Sequence, residues 1–191
     1  MYEAKTFNLG SLDGLSEKQI SEHLKLYQGY VKNINKLMGR IEELKKDSET
    51  FAYELAEVKR RLGFEFNGMR LHEYYFEQFE AMEGTDSALR SKIEEQFGSY
   101  EAWKAEFEAV AKMRGVGWAL LMEDNRTGTL HNVWVSDHEL GHLGGQNILI
   151  ACDVWEHAFL LDYLPSERGT YIEAFFKNLN WQVVESRYGT K

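Results

Sequence analysis

The sequence lacks several features that mark familiar classes of protein. Its 191 residues include a single cysteine, Cys152, which excludes an internal disulfide framework and a metal site built from several thiolates. Cys152 ends an apolar run, so we expect it to be an inert buried residue. No apolar run approaches the length of a membrane span. What remains is a globular chain whose size fits one compact unit or two small subdomains.

Positive charge is also scarce. The net charge of −9 at pH 7 argues against nucleic acid as a partner. The same charge disfavours long-range attraction of an anionic substrate, so the steering of such a substrate would need a local basic rim. The chain begins without the basic stretch and apolar run of a secretory signal, and we therefore expect a cytoplasmic protein.

Hydrophobic periodicity predicts a helical first part. Apolar and aromatic residues recur every three or four positions from Ile20 to Ile41, after Ser16 as a candidate N-cap. A second helix is predicted at about residues 49–62 and a third at about residues 67–80. Glu83–Ser87 form the clearest internal break, because glycine and short polar residues cluster there.

The second part is predicted to mix helices with strands. Two short amphipathic helices are expected within residues 87–112, and a final helix after Pro165, at about residues 170–185. Residues 124–128 indicate a hairpin turn of Asx/Gly type. Strands are predicted at residues 117–123, 129–136 and 147–152.

This order of elements predicts an α+β protein. We expect an N-terminal helical hairpin domain at residues 1–85. An α/β domain with a small three-stranded antiparallel sheet is expected at residues 86–191.

The run Asp153-Val-Trp-Glu-His157 is the most informative feature of the chain. On a helical turn, positions four apart share a face, so the Asp153 carboxylate and the His157 imidazole can reach one point, as two ligands of one metal would. His23 and His72 lie far upstream, each on the apolar face of a predicted helix. Three imidazoles and one carboxylate suit a first-row metal such as iron or manganese. Taken alone, a histidine placed like His72 is more often a core residue, and a pair like Asp153 and His157 is more often an ordinary exposed pair.

Longer motifs extend this pattern over nearly the whole chain. The strongest are residues 153–157 and the run from Tyr171 to Trp181, and the supporting runs are Phe66–His72, Phe97–Trp103 and Gly115–Leu121. In these motifs the sequence resembles the iron/manganese superoxide dismutase family. Archaeal-type members are the most similar in residues 66–76 and 138–153. The resemblance implies the fold predicted above.

The resemblance implies an enzyme that converts superoxide to dioxygen and hydrogen peroxide by redox cycling of one iron or manganese ion per subunit. The metal ligands would be His23, His72, Asp153 and His157. His23 departs from the usual family pattern, because it precedes Tyr30 by seven residues instead of eight. Glu22 stands at the eight-residue spacing, and it is the alternative ligand, in a site of two histidines and two carboxylates.

Further residues around the metal are implied by the same resemblance. Gly68, one turn before His72, leaves out a side chain and creates a space that we expect His138 to fill. His138 and Tyr30 would act as catalytic residues that orient solvent and relay protons. Aromatic residues expected to enclose the site or pack beside it are Phe76, Trp118 and Trp155.

Glu156 leads to a prediction about assembly. In the family, the matching glutamate bonds a ligand histidine of the partner subunit, so the resemblance implies a homodimer. Relatives usually carry two tyrosines where this chain has Phe159 and Leu160, and a second histidine where it has Tyr27. We therefore expect the tyrosine–histidine bridge between subunits to be absent.

Two other functions compete with this interpretation. The run His138-Glu139-Leu-Gly-His142 fits the HExxH signature of zinc metalloproteases. That chemistry needs both histidines on a stable helix, which a glycine inside the motif and two more after it disfavour. The other alternative is a degraded site that keeps the fold as an interaction protein, prompted by the altered spacing in the first helix. Neither nucleic acid nor a membrane is expected as a partner.

Overall fold

Two long helices form the first part of the computed structural model, which describes residues 1–82 and 88–190. Helix α1 spans Glu17–Leu44 and α2 spans Ala52–Glu77, so the predicted helical hairpin is confirmed. Ser16 caps α1 as predicted, because its hydroxyl accepts a hydrogen bond of 3.1 Å from the Gln19 N–H.

Helix α2 corrects the prediction of two separate helices at residues 49–62 and 67–80, which was wrong. The helix runs through Gly63 and Gly68 without interruption. Each glycine costs about 1 kcal/mol relative to alanine inside a helix, and packing of α2 on α1 and on the sheet outweighs that cost. The continuous helix places Gly68 and His72 one turn apart on one rigid element.

Two short helices and a sheet follow. α3 (Ala88–Phe97) and α4 (Tyr100–Ala111) match the predicted pair of amphipathic helices. The strands β1 (Gly117–Asp124), β2 (Leu130–Ser136) and β3 (Gln146–Asp153) pair antiparallel in the order β2-β1-β3. The α+β class and the three-stranded sheet are therefore confirmed. The predicted break at Glu83–Ser87, and with it the domain boundary at 85 and 86, lies outside the described residues.

The turn between β1 and β2 has the predicted chemistry. The Gly128 N–H donates to the Asp124 carbonyl at 2.8 Å, with Gly128 at a φ of +69°. The Asp124 carboxylate accepts the Arg126 N–H at 2.8 Å. A side chain that bonds its own backbone two residues on, followed by a left-handed glycine, closes the hairpin.

The end of the chain differs from the single final helix predicted at residues 170–185. The structure has two helices, α5 (Arg168–Asn178) and α6 (Trp181–Arg187). Asn180 starts α6 as its N-cap, because its side-chain oxygen accepts the Gln182 N–H at 3.0 Å. An asparagine amide that bonds the backbone locally competes with helix continuation, which is why the periodic pattern is interrupted there.

The core lies between the hairpin, the sheet and α5. Tyr27, Phe76, Trp118 and Phe175 are fully buried in it, and so is Cys152, as predicted. The elements that meet in this core also carry the candidate site. Within the described part of the chain, no helix combines the length and the apolar character that crossing a bilayer requires.

Candidate metal centre

Side chains from four separate parts of the chain converge on one buried point. His23 comes from α1, His72 from α2, Asp153 from the last position of β3, and His157 from a short 3-10 turn at Glu156–Ala158. One ligand atom from each lies within 4.8 Å of all the others. The side chains of His23, His72 and Asp153 have no solvent exposure, and that of His157 is 20% exposed.

Three imidazole nitrogens face a single carboxylate oxygen. The Oδ2 atom of Asp153 lies 3.0 Å from His23 Nε2, 3.1 Å from His157 Nε2 and 3.6 Å from His72 Nε2. Its other oxygen, Oδ1, accepts the Trp155 N–H at 2.9 Å. The carboxylate is thereby oriented with one oxygen toward the histidines, a donor set of three nitrogens and one oxygen that suits iron or manganese.

His72 has the protonation pattern of a metal ligand. Its Nδ1–H donates to the Gly68 carbonyl at 2.6 Å, since a carbonyl oxygen can only accept. In the neutral imidazole this leaves Nε2 with a bare lone pair. That atom is buried and has no hydrogen-bond partner among the described residues. A buried acceptor without a partner is costly, and a metal ion at the centre of the cluster would satisfy it.

The path from Asp153 to His157 is not the helical turn assumed from their spacing. Asp153 is in extended strand conformation, Trp155 is also extended, and only Glu156–Ala158 form a 3-10 turn. The side chains still meet, because the chain leaves the sheet at Asp153 and folds back through the turn. The proximity predicted for the pair is present, but the helical reason given for it was wrong.

Electrostatics favour the metal-binding protonation states of His23, His72 and Asp153. Burial lowers the pKa of His72 well below its ordinary value, with His23 as a further cause. Burial also lowers the pKa of His23, and it outweighs the opposite effect of Asp153. Burial alone would raise the pKa of Asp153, but His157 and His23 together hold it below its usual range. Neutral imidazoles and an ionised carboxylate are the forms that bind a cation.

The spacing of His23 is explained by a regular helix. α1 is an α-helix throughout Glu17–Leu44, and it directs His23 into the cluster while Tyr30 lies beside it. Glu22, the alternative ligand, is exposed instead and pairs with Lys25 at 2.7 Å. The structure thus brings His23, and not Glu22, to the point where the other three side chains meet.

A chain of hydrogen bonds lies next to the cluster. The Trp118 indole N–H donates to His138 Nδ1 at 2.9 Å. This leaves the proton of the neutral imidazole on Nε2, which donates to the Tyr30 hydroxyl at 2.7 Å. The Tyr30 ring in turn lies 5.1 Å from the His72 ring. Burial lowers the pKa of His138 to about 4, so the neutral form persists at physiological pH.

Gly68 makes room for a different residue from the one predicted. A Cβ atom at Gly68 would meet three ring atoms of Tyr30, the nearest at 2.5 Å. The expectation that His138 fills this space was wrong, because Tyr30 reaches it first from α1. His138 instead bonds the far end of Tyr30. The glycine therefore acts on His138 only through the tyrosine between them.

Trp155 covers the side of the centre that faces the loops. Its ring stacks on His138 at 5.1 Å between ring centroids and on His157 at 5.5 Å. Its indole N–H donates to the Asp137 carbonyl at 3.2 Å. The tryptophan thus packs against one histidine of the cluster and against His138.

Comparisons with known proteins show the family of the chain. The model of the family described as iron/manganese superoxide dismutases, C-terminal domain, matches residues 85–187, more than half of the chain. The superoxide dismutase [Fe] of Cupriavidus metallidurans is 37% identical over 98% of this chain and 96% of that protein. The chain belongs to the iron/manganese superoxide dismutase family.

Relatives of this family named for either metal match the chain to a similar extent. Superoxide dismutase [Mn] 2 of the archaeon Haloferax volcanii is 37% identical over 91% of this chain and 87% of that protein. The superoxide dismutase [Fe] of Aquifex pyrophilus is 36% identical over 93% of this chain and 86% of that protein. The similarity extends nearly from end to end, as the sequence motifs indicated.

The HExxH motif does not form a zinc site. Residues 138–142 are turns and a bridge instead of a helix, and Gly141 has a φ of +114°. The two histidines do not face a common centre, because His142 Nε2 donates to the His138 carbonyl at 2.9 Å and His138 is engaged with Tyr30. Within residues 1–82 and 88–190, the only group of side chains placed to hold a metal ion is the cluster of His23.

Three residues near the centre were missed or misjudged from the sequence. Trp118 was predicted as apolar packing, but its indole N–H sets the tautomer of His138. Gln19 and Tyr171 were not predicted as site residues, and each bonds the backbone carbonyl of a proposed ligand. Only Gln19 gave a usable signal, since it lies one turn before His23 on the buried face of a helix.

Proposed function

We propose that this protein is a superoxide dismutase that holds one iron or manganese ion between His23, His72, Asp153 and His157. The observation that carries the proposal is their convergence, with the ligand atoms all within 4.8 Å of one another. Such a closely spaced, buried set with an unsatisfied imidazole nitrogen fits a cation better than a structural role. Membership of the family supports the activity, because the relatives are named superoxide dismutases.

The protein's own part in the reaction is to hold the metal ligands in place and to deliver protons. When bound, iron or manganese would supply the electron transfer, by taking an electron from one superoxide and giving it to the next. Formation of hydrogen peroxide from superoxide also consumes protons. Tyr30 accepts a hydrogen bond from His138 and so keeps its own O–H free to donate toward the centre. The same bond stabilises the Tyr30 oxygen when its proton is passed on, and a proton from solvent then restores the phenol.

The surroundings of Tyr30 favour this role. Burial is the largest cause that raises the pKa of its hydroxyl, and the Asp153 carboxylate raises it further. The phenol therefore remains protonated and available as a donor at neutral pH. Trp118 keeps His138 in the tautomer whose Nε2–H faces Tyr30, so the direction of that hydrogen bond is set by the fold.

Reconstitution separates this function from its alternatives. We expect protein refolded with iron or with manganese to bind about one equivalent and to accelerate the decay of superoxide with at least one of them. Elemental analysis and a dismutase assay on the same sample measure both. Full loading without dismutation by either metal would contradict the proposal and favour an interaction protein. Nothing within the described residues favours a protease, and replacement of Glu139 by glutamine is expected to leave dismutation intact.

We also propose that the protein is a homodimer, joined through the face that carries Glu156. Glu156 begins the 3-10 turn that follows the buried residues Asp153 and Val154. It directly precedes His157, the most exposed side chain of the metal cluster. In the described part of the chain its carboxylate makes no hydrogen bond or ion pair. A partly buried carboxylate without an internal partner is available to a second copy of the chain.

Tyr27 supports the predicted loss of the bridge between subunits. Its ring is fully buried, and its hydroxyl donates to Glu73 at 3.1 Å and accepts the Lys5 N–H at 2.8 Å. The side chain therefore faces the interior of its own subunit. A dimer of this chain would have to form without a tyrosine–histidine contact at this position.

Sedimentation tests the dimer. We expect the protein to sediment at twice the mass of the chain at micromolar concentration, and Glu156→Ala to shift it toward the monomer. Exposed Glu101, at the first turn of α4, offers a control substitution that should change nothing. A monomeric parent, or an unchanged dimer in Glu156→Ala, would contradict the proposed interface.

A cytoplasmic location is part of the same proposal. The lone cysteine is buried and unpaired, which is the usual state of thiols in a reducing compartment. Fractionation of the native host, with antibody detection, tests the location.

A further inference from the structure

The segment that carries two of the four metal-binding side chains has little regular structure of its own. We call residues 151–161 the ligand segment, because it includes Asp153 and His157. β3 ends at Asp153, and beyond it only the single 3-10 turn at Glu156–Ala158 is regular. A segment of this kind loses much conformational entropy when it is ordered, so something other than a helix or a sheet must hold it in place.

Gln19 holds the ligand segment from α1. Its side chain has no solvent exposure. Its Nε2–H donates to the His157 carbonyl at 2.6 Å, and its Oε1 accepts the Leu161 N–H at 3.0 Å. One amide thus satisfies two backbone groups on either side of the turn. Because Gln19 lies one turn before His23 on the same helix, it links the position of one imidazole to the backbone of another.

Tyr171 holds the same segment from α5. Its buried hydroxyl donates to the Asp153 carbonyl at 2.7 Å. That proton is thereby used, so the hydroxyl of Tyr75, 3.2 Å away on α2, donates to Tyr171. At the start of the segment, Gln78 makes a further pair of bonds with the backbone of Ala151. Buried side chains therefore hold the ligand segment before, at and after its two metal-binding residues.

We infer that Gln19 and Tyr171 are positioning residues, which keep the ligand segment in its metal-binding conformation whether or not an ion is present. Both act on backbone atoms of the segment, so they set the direction of the Asp153 and His157 side chains without touching the ion. Preformed ligands bind a metal more tightly and exchange it more slowly than ligands that must be ordered on binding. The identity of the ion rests on the proposed function, but the conformation of the segment does not.

A matched pair of substitutions tests Gln19. Gln96, on α3, makes the same pair of bonds with the backbone of Leu130 at the start of β2, at 2.6 Å and 2.9 Å. Gln19→Met and Gln96→Met each remove two hydrogen bonds while keeping the length of the side chain. We expect both to lower the melting temperature, but only Gln19→Met to speed the loss of bound iron to a chelator, by about tenfold. Only that variant should also change the electron paramagnetic resonance spectrum of the ferric protein.

A second measurement needs no metal. Among residues 1–82 and 88–190, the Leu161 N–H is bonded only to Gln19, so in metal-free protein its hydrogen exchange should be slow in the parent and fast in Gln19→Met. Exchange at Leu130 should respond in the same way to Gln96→Met, as an internal check of the method. Tyr171→Phe, which removes a hydroxyl and little volume, tests the other contact by the iron-loss and resonance measurements if Gln19→Met does not fold.

The outcomes separate this inference from the proposed function. If the parent binds neither iron nor manganese, the proposed function fails, and Leu161 exchange in metal-free protein still decides the role of Gln19. Equal Leu161 exchange in the parent and in Gln19→Met would overturn the inference. So would iron loss and a ferric spectrum that do not differ between Gln19→Met and Gln96→Met, or between Tyr171→Phe and the parent.

Discussion

The ring of Tyr30 occupies the space that a side chain at Gly68 would need. A Cβ atom there would lie 2.5 Å from Cδ1 and 2.7 Å from Cε1 of the ring. The glycine of α2 thus lets the tyrosine of α1 approach His72 and place its hydroxyl 2.7 Å from His138 Nε2. One missing methyl group therefore determines where the proposed proton donor sits.

Gly68→Ala is expected to reduce dismutation about tenfold or more while the metal stays bound. The added methyl group would overlap the Tyr30 ring, and the ring must move because the backbone of a helix is rigid. The Tyr30 hydroxyl then loses its alignment with His138. Turnover at saturating superoxide, measured by pulse radiolysis beside the metal content, checks this. Gly39→Ala is the matched control, since it also lies inside a helix but has open space around it.

The control variant Gly39→Ala should be more stable than the parent. Alanine at Gly39 is expected to raise the free energy of unfolding by up to about 1 kcal/mol through helix propensity alone, with unchanged turnover. Equal turnover in Gly68→Ala and the parent would show that the position of Tyr30 does not matter for the reaction.

His72→Ala is expected to remove metal and activity together. The substitution deletes the imidazole whose Nδ1–H is held by Gly68 and whose Nε2 has no partner within the described chain. Loss of a ligand should weaken binding by more than the roughly 10–100-fold caused by loss of an outer partner. Metal content after dialysis and dismutase activity are the measurements. His131→Ala, on β2 and outside the cluster, is the control that should keep both.

Trp118→Phe is expected to slow turnover without loss of metal. The indole N–H fixes the tautomer of His138, and phenylalanine keeps most of the packing but donates no hydrogen bond. Without that donor, His138 can carry its proton on Nδ1, and the bond from Nε2–H to Tyr30 is lost in those molecules. We expect the maximal turnover to fall several-fold to tenfold. The pH dependence of turnover should change as well.

Trp103→Phe provides the comparison for this tryptophan. Trp103 is equally buried, and its indole N–H donates to Asn132 at 3.1 Å, away from the cluster. A similar loss of stability in both variants, with slower turnover only in Trp118→Phe, is the expected result. If both variants turn over at the parent's rate, the tautomer of His138 has no part in the reaction.

Acid should destabilise the metal-free protein through His138. Burial lowers the pKa of this histidine from 6.5 to about 4, so between these values the unfolded chain binds a proton that the folded chain does not. The contribution of His138 to the free energy of unfolding is therefore complete above about pH 6.5. It falls by up to about 3 kcal/mol as the pH decreases toward about 4. Urea unfolding of metal-free protein at a series of pH values measures it.

His138→Gln isolates this contribution from those of the other buried histidines. Glutamine cannot be protonated in this range, so the fall in unfolding free energy between about pH 6.5 and 4 should be shallower than in the parent. The remaining slope comes from His23 and His72, whose pKa values burial also lowers. An identical slope in both proteins would show that His138 is not held neutral by the fold.

Much of the candidate site could be predicted from the sequence, because its residues lie in short patterns with a local meaning. His72 and the pair Asp153 and His157 stood in motifs whose spacing indicates a shared function, and the structure brings them together with His23. Helix starts and turns were equally readable, as at Ser16 and at residues 124–128. These features depend on interactions between neighbours in the chain, which sequence patterns record directly.

The errors have a common cause. The prediction of two helices in place of α2 left out the packing of one long helix on its neighbours. The partner of Gly68 was misassigned because the choice between Tyr30 and His138 depends on which ring arrives closer across the core. The hydrogen bond from Trp118 to His138 joins residues from different parts of the sheet region, and no spacing rule connects them.

By itself, the sequence determined the class of fold, the family and the overall acidity of the chain, and it supplied the metal-binding residues proposed here. Only the tertiary structure decided which side chain fills the space at Gly68, which nitrogen of His138 carries the proton, and how Gln19 and Tyr171 hold the ligand segment. The physical reason is distance along the chain. Periodicity and turn chemistry act over a few residues, whereas these contacts join side chains to atoms up to 142 residues away, and packing alone sets their geometry.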